Sequence, residues 1–231
     1  MKLMLKTLIL SASLCSSLAL ANTEAHNDYL KGTAYLNQDN YKDAITWLTS
    51  AANNGSIEAQ NKIGVIYAKG IGTDVNTHLA IQYFTKAAAN ESSMAYYNLG
   101  KIYESQEKFS IAIDWYNKAI DMNNSNAMNN LADLYLNGKD LVQSSHQAEL
   151  LYIQAAEAGN ATAMRNLGFL YFKGSEVKQD MGKAYFWFNL AASKAYPDAD
   201  KYRDFSGKKL NKTKRVLIQN KALEWLGEHS K

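Results

Sequence analysis

The apolar positions of this chain follow the period of an amphipathic helix, and the pattern itself recurs. A small residue at Gly32, Gly64, Gly100, Ala132 and Gly168 is followed three residues later by Tyr35, Tyr67, Tyr103, Tyr135 and Tyr171, with steps of 32, 36, 32 and 36 residues between copies. In four of the five copies an apolar residue precedes the small one (Ile63, Leu99, Leu131, Leu167), and an alanine lies five before it (Ala59, Ala95, Ala127, Ala163). At 3.6 residues per turn these positions share one side of a first helix, and the small residue lets a second helix approach closely. That second helix is marked by Ala44, Ala80, Ala112, Ala148 and Ala184, with Trp47, Tyr83, Trp115, Leu151 and Trp187 three residues on. Paired small residues complete the stripe at Ala51-Ala52, Ala87-Ala88, Ala155-Ala156 and Ala191-Ala192, with Ala119-Ile120 as the exception. Offsets of 0, 3, 7 and 8 predict a single apolar face. Gly55 and Gly159 suit the left-handed residue that ends such a helix, and Asn90 and Asn123 are expected in that role elsewhere.

Neither helix of a copy can bury its face without a neighbour, so the fold class predicted is all-α: an α-solenoid of about five helix-turn-helix repeats with C-terminal capping helices. The connection between the two helices varies. From the tyrosine to the second-helix alanine is 9 residues in copies one and three and 13 in copies two, four and five, where Gly70, Gly138 or Gly174 follows the tyrosine. After the fifth copy, Tyr196-Pro197-Asp198 reads as a stop and restart, because the residue before proline is biased away from the helix. A sixth first-helix is expected to start there. A last helix from Asn211 to Leu226 carries Val216, Leu217, Leu223 and Trp225 to close the stack.

The pattern A-x-x-x-L-G-x-x-Y-x-x-G, then K-A-x-x-W-(Y/F)-x-x-A-A, resembles the Sel-one-like repeat family, a 36-residue relative of the tetratricopeptide repeat. Ala163, Leu167, Gly168, Tyr171, Gly174, Lys183, Ala184, Trp187, Phe188, Ala191 and Ala192 match it in the fifth copy. The short copies look more like plain tetratricopeptide units, and Lys31 stands where leucine is expected, as suits an end cap. The resemblance implies a right-handed solenoid whose first helices line a concave face for an extended peptide or partner helix. Carried over to this chain, the groove positions are Tyr29, Asn61, Tyr97, Asn129 and Arg165, then Val65, Lys101, Asp133 and Phe169, with Phe172 and Lys173 continuing the surface.

Residues 1–21 form a separate segment. Lys2 and Lys6, an apolar run from Leu8 and the closing Ala19-Leu20-Ala21 have the layout of a secretory signal peptide, too short to remain as a membrane span. The organisation expected is a cleaved leader at 1–21, a repeat array at 22–195 and a capping region at 196–231, in a periplasmic or secreted protein. Cleavage would remove Cys15, the only cysteine, together with two lysines of a formal charge of +3, leaving a near-neutral chain with no call for nucleic acid.

No constellation for catalysis stands out. His78 and His146 share a slot two repeats apart, too distant for one metal, and Gly70-Ile71-Gly72 lacks the strand and the Gly-Lys-Ser/Thr of a phosphate loop. No cofactor, metal site or enzymatic activity is expected. Asn98, Asn130 and Asn166 recur before the Leu/Gly pair and are read as amides that serve backbone groups of the adjacent repeat. Lys201, Arg203, Lys208, Lys209, Lys212, Lys214 and Arg215 crowd the C-terminal end, read as a solvated face, with anionic lipid as the competing partner. The function expected is an exported, monomeric, non-enzymatic scaffold that binds a protein or peptide. The competing readings are an immunity-type inhibitor of an exported toxin and a peptidoglycan enzyme or binder.

Overall fold

The computed structural model describes residues 22–229, apart from Glu176; the leader expected at 1–21 lies outside the described residues. Among these residues the chain is all helix, with no strand. The first helices are α1 (22–36), α3 (Ile57–Lys69), α5 (Ser93–Ser105), α7 (Ser125–Asn137) and α9 (Ala161–Lys173). The second helices are α2 (Tyr41–Asn53), α4 (Thr77–Ala88), α6 (Phe109–Ile120), α8 (Ser145–Glu157) and α10 (Met181–Ser193), followed by α11 (Ala199–Lys208) and α12 (Lys212–Glu228). The chain divides into two compact units, one reaching Ile102 and one starting at Tyr103.

Most of the helices start where a side chain takes up a free backbone N–H. Asn40, Ser56, Asn76, Asn124, Ser144, Asn160, Asp180 and Asn211 all accept from an amide of the first turn they precede. At the far ends the left-handed residue is Gly55 or Gly159 as expected, and Asn123 (φ 58°) in copy three; in copy two it is Glu91 (φ 56°) and not Asn90, so a charged side chain fills the turn at solvent.

Within a hairpin the small residue and one bulky residue set the approach. A Cβ added to Gly32 would lie 2.7 Å from Leu48, one on Gly64 2.7 Å from Phe84, and one on Gly168 2.6 Å from Phe188. Leu48, Phe84, Tyr116, Tyr152 and Phe188 are all at most 1% exposed. They stand four residues after the second-helix alanine, whereas the residues expected to make this contact, Trp47, Tyr83, Trp115 and Leu151, stand one earlier and are only half-buried. The inward stripe is therefore 0, 4, 7 and 8. In the first unit Leu48, Ala51, Ala52, Ala59, Ile63 and Ile66 form one core; in the second a larger core gathers around Tyr152, Met164, Leu167, Phe188 and Leu190. Burying one such side chain contributes about 1.5–3 kcal/mol.

The recurrent tyrosine has a backbone task. The carbonyls of Tyr35, Tyr67, Tyr103, Tyr135 and Tyr171 accept the N–H of Asn40, Asn76, Lys108, Ser144 and Asp180, each at 2.8–3.1 Å, so every second helix begins from the same carbonyl whether the connection is short or long. In copies two and four the long connection reaches the preceding copy. Gly72 packs so closely on Tyr41 that a Cβ would lie 2.0 Å away. Asp140 accepts from the backbone N–H of Ser110 at 3.2 Å and from its hydroxyl at 3.0 Å. It thereby caps α6, whose own N-cap residue Lys108 makes no side-chain capping bond. The long connections of copies two and four thus each pack on the start of the second helix of the copy before, whose own connection is short.

The C-terminal helices fall where the restart at Pro197 puts them. Ser206 and Gly207 of α11 are buried, with Gly207 against the Tyr185 ring of α10. On α12 the expected closing residues Val216, Leu217 and Leu223 are exposed; Ile218 and Ala222 are buried instead, and Trp225 meets Trp187 at 6.1 Å between ring centres. Spacing decides this: 218, 222 and 225 share one helical face.

Two substitutions test this frame. Overpacking costs about 1–3 kcal/mol, against roughly 1 kcal/mol that alanine gains over glycine in a helix. Gly168→Ala should lower stability in urea melts by a net amount of about 1 kcal/mol, and Gly168→Leu should not fold stably. Asp140→Ala should cost about 1 kcal/mol through loss of the α6 cap; an unchanged midpoint would contradict the cap between repeats.

Candidate functional site

In the first unit, Tyr29, Asn61 and Val65 line one cleft of about 680 Å³, together with Leu36, Lys62 and Met94. Asn61 is only 6% exposed. Its Nδ2 donates to the Ile57 carbonyl at 3.0 Å and to the Ser92 hydroxyl at 2.9 Å, and its Oδ1 has no partner among the described residues. Tyr97 and Lys101 lie outside the lining of that cleft; the ammonium sits over the ring, 5.7 Å from its centre.

The second unit brings together more of the predicted residues. Asp133, Arg165, Phe169 and Lys173 line a cleft of about 490 Å³ with Tyr152, Asn166 and Tyr202. Helix α9 spaces Arg165, Phe169 and Lys173 four residues apart, which keeps them on one face. The Arg165 guanidinium lies 4.6 Å from the centre of the Phe169 ring and 5.6 Å from that of Tyr196, and the Lys173 ammonium 5.9 Å from that of Phe169. Phe172 lines an adjoining cleft with Lys201, Tyr202, Asp204, Phe205 and Lys208. The rings form a continuous edge-to-face series: Phe169 to Tyr202 at 4.5 Å, Tyr202 to Phe172 at 6.3 Å, and Phe172 to Phe205 at 5.5 Å. Such pairs hold each other beyond their burial and make a stiff wall.

The floor of the larger cleft is a polar network. The Tyr152 hydroxyl donates to Asp133 Oδ1, and Asn129 Nδ2 donates to Asp133 Oδ2 at 3.3 Å. Asn166 Nδ2 donates to Asn129 Oδ1 at 3.1 Å, so Asn129, itself 6% exposed, supports the floor from beneath and does not line the face. In the preceding repeat Asn130 Nδ2 donates to the Tyr116 hydroxyl at 3.0 Å. Asn130 and Asn166 therefore bond side chains of the preceding repeat, not the backbone groups expected, because the buried Tyr116 and the Asn129 amide stand opposite them. Burial pushes the Asp133 carboxyl up from its ordinary 3.8; the Tyr152 hydroxyl opposes this, and the charge of Glu104 adds to it. Burial and the Asp133 charge push the Tyr152 hydroxyl upward in turn.

Sequence reading missed Tyr202 and Phe205; Lys201 and Lys208, read as part of a solvated face, are exposed and border the same cleft. The signal was present: continuing the 36-residue step from α9 puts Lys201 at the place of Arg165 and Phe205 at that of Phe169. Among the described residues no three His, Cys, Asp or Glu side chains gather as a metal would require, and no helix is long and apolar enough to cross a membrane.

Helical hairpins closed by a small residue and a recurrent tyrosine, with side chains varied on the first-helix faces, define a tetratricopeptide-like repeat protein. The Sel1 repeat model matches residues 25–56, 57–92, 125–160 and 161–196, and the tetratricopeptide repeat model matches 93–126; the chain belongs to the Sel1 repeat family. It is similar to a protective antigen of uropathogenic Escherichia coli with an SLR fold, at 27% identity and a TM-score of 0.76, over 89% of this chain and 47% of that one. A Sel1 repeat protein from Oxalobacter formigenes is 25% identical with a TM-score of 0.72, over 91% of this chain and 86% of that one. A sel1-like repeat-containing protein of Acanthamoeba polyphaga mimivirus is 33% identical over 46% of this chain and 19% of its own length. The chain spans less than a third of the length of the curated relatives it matches. Sel1 and tetratricopeptide repeats typically mediate protein binding, and this chain is a repeat scaffold of that class.

The raised Asp133 pKa has a measurable consequence. A carboxyl that holds its proton more tightly in the folded chain contributes fully below the unfolded value of 3.8, and that contribution is lost as pH rises through the folded pKa. Asp133→Asn should therefore gain stability relative to the wild type as pH rises from about 4 to about 7. Urea melts of both proteins with identical pH slopes would contradict this.

Proposed function

We propose that the protein is an exported adaptor that holds a protein partner on the α9–α11 face of its second unit. One observation carries the reading: on that face the cations Arg165, Lys173, Lys201 and Lys208 border an aromatic wall, and among the described residues none of them is paired with a carboxylate. Arg165 is half-buried on the Phe169 ring, its Nη1 donates to the neutral Asn166 Oδ1 at 3.5 Å, and arginine beside aromatic rings is the composition that interface hot spots favour. Export rests on the layout of residues 1–21, and the periplasm or the exterior is the compartment it implies. The reading is non-enzymatic: the polar groups of the cleft are engaged with each other in a supporting network and are not arranged as nucleophile and base.

The test is co-purification from an envelope extract of the native host, using residues 22–231 and an Arg165→Glu, Phe169→Ala double variant shown to be folded by circular dichroism. One protein should be recovered by the wild type and reduced at least about tenfold by the variant. Equal recovery by both would exclude the α9–α11 face. Mass spectrometry of the protein isolated from the host should find Asn22 at the N-terminus; a chain that retains residues 1–21 would contradict export by a cleaved leader.

A further inference from the structure

We propose that the α9–α11 face takes an extended acidic segment of its partner, with carboxylates spaced to meet Arg165 and Lys173 and an apolar side chain laid on Phe169 between them. This deepens the adaptor reading and rests on it. The acids near the face are already engaged: Asp133 by Tyr152 and Asn129, and Asp204 by Arg203 at 2.8 Å. Among the described residues none of the cations meets a carboxylate, and Arg165 Nη1 donates only to the neutral Asn166 Oδ1, at 3.5 Å. Arg165 and Lys173 have ring faces for company, and Lys201 and Lys208 continue the same sign along α11 in step with Tyr202 and Phe205. The uncompensated charge of the face is positive, so its complement is negative.

Spacing favours a peptide over other anions. Arg165 and Lys173 are eight residues apart on one helix, about 12 Å along its axis at 1.5 Å per residue. An extended chain advances about 3.3 Å per residue, so carboxylates four residues apart span about 13 Å, with the residue midway on the same side. Phe169 stands midway between the two cations. The complementary motif is an acid, any residue, an apolar residue, any residue, an acid. Lys201 and Lys208, seven residues apart beside Phe205, offer a second register of similar length for a longer segment. A lipid surface has no such periodicity, and it would not need the ring wall between the cations.

The probe is a fluorescein-labelled peptide with two glutamates four residues apart and phenylalanine midway, in a serine background, measured by anisotropy against residues 22–231. Its controls carry lysine for glutamate, or serine for phenylalanine. The acidic peptide should bind, weaken on raising salt from about 50 to about 500 mM as screening shortens, and lose at least about tenfold in affinity when phenylalanine becomes serine. An Arg165→Glu, Lys173→Glu variant should reject the acidic peptide and bind the lysine peptide, a reversal that unfolding cannot produce. If the variant binds both peptides as the wild type does, the proposal is overturned. It is also overturned if vesicles of anionic phosphatidylglycerol bind equally well to wild type and to Phe169→Ala, since a membrane would then be the partner. If the acidic peptide fails while a protein from the extract is still lost with Arg165→Glu, Phe169→Ala, the adaptor reading stands and only the acidic chemistry falls.

Discussion

The contact on which each hairpin depends lies between a residue with almost no side chain in the middle of the first helix and a fully buried bulky one on the second. Gly32 against Leu48, Gly64 against Phe84 and Gly168 against Phe188 bring two backbones together until no further methyl fits. Packing so close leaves little freedom to slide, since interiors have crystalline density and a displaced ring must find equal volume elsewhere. The tyrosine carbonyl then fixes where the second helix starts, and the connection between them becomes free to vary in length. The array uses that freedom when the long connections of copies two and four pack on the second-helix starts of the copies before them, through Gly72 on Tyr41 and Asp140 on Ser110.

A frame fixed by small residues and backbone bonds leaves the outer positions of the first helices free to differ from copy to copy. The two units illustrate the result. The same slot holds Asn61 in the first unit, lining a mostly apolar cleft with a carbonyl oxygen that has no partner among the described residues, and Asn129 in the second, with its oxygen satisfied by Asn166. One hydrogen bond more turns a cleft lining into the support of a polar floor. On that floor Asp133, Tyr152 and Asn166 raise a rigid base beneath Arg165, Phe169 and Lys173, so the cations face solvent from a stiff wall and not from a flexible surface.

Much of this was legible in the sequence, because the strongest constraint repeats. The small residues, the tyrosines, the paired alanines and the two connection lengths all recur at fixed offsets, and they gave the helices and their pairing. Except for Phe188, which the repeat pattern singles out in the fifth copy, the inward bulky residue escaped notice because no single type recurs there: Leu48, Phe84, Tyr116, Tyr152 and Phe188 share volume and burial, not identity, while the neighbouring tryptophans and tyrosines look more conspicuous. On α12 the conspicuous Val216, Leu217 and Leu223 likewise drew the reading away from Ile218 and Ala222, which have the right spacing. At the site, Arg165, Phe169, Phe172 and Lys173 followed from the repeat register. Tyr202 and Phe205 did not, because the sixth first-helix has Asp204 where the small residue should be and Gly207 where the tyrosine should be, which hides the register that α11 keeps.

The central claim is that folding is handled by the inward stripes and partner binding by the outward positions of the first helices. A photo-reactive phenylalanine analogue placed singly at 205 or at 150, in cells producing the protein, tests it most directly. Phe205 is half-exposed on α11, and Leu150 is comparably exposed on the second helix α8. The account predicts a covalent adduct with a partner from position 205 and none from position 150; an adduct from 150 with none from 205 would contradict it.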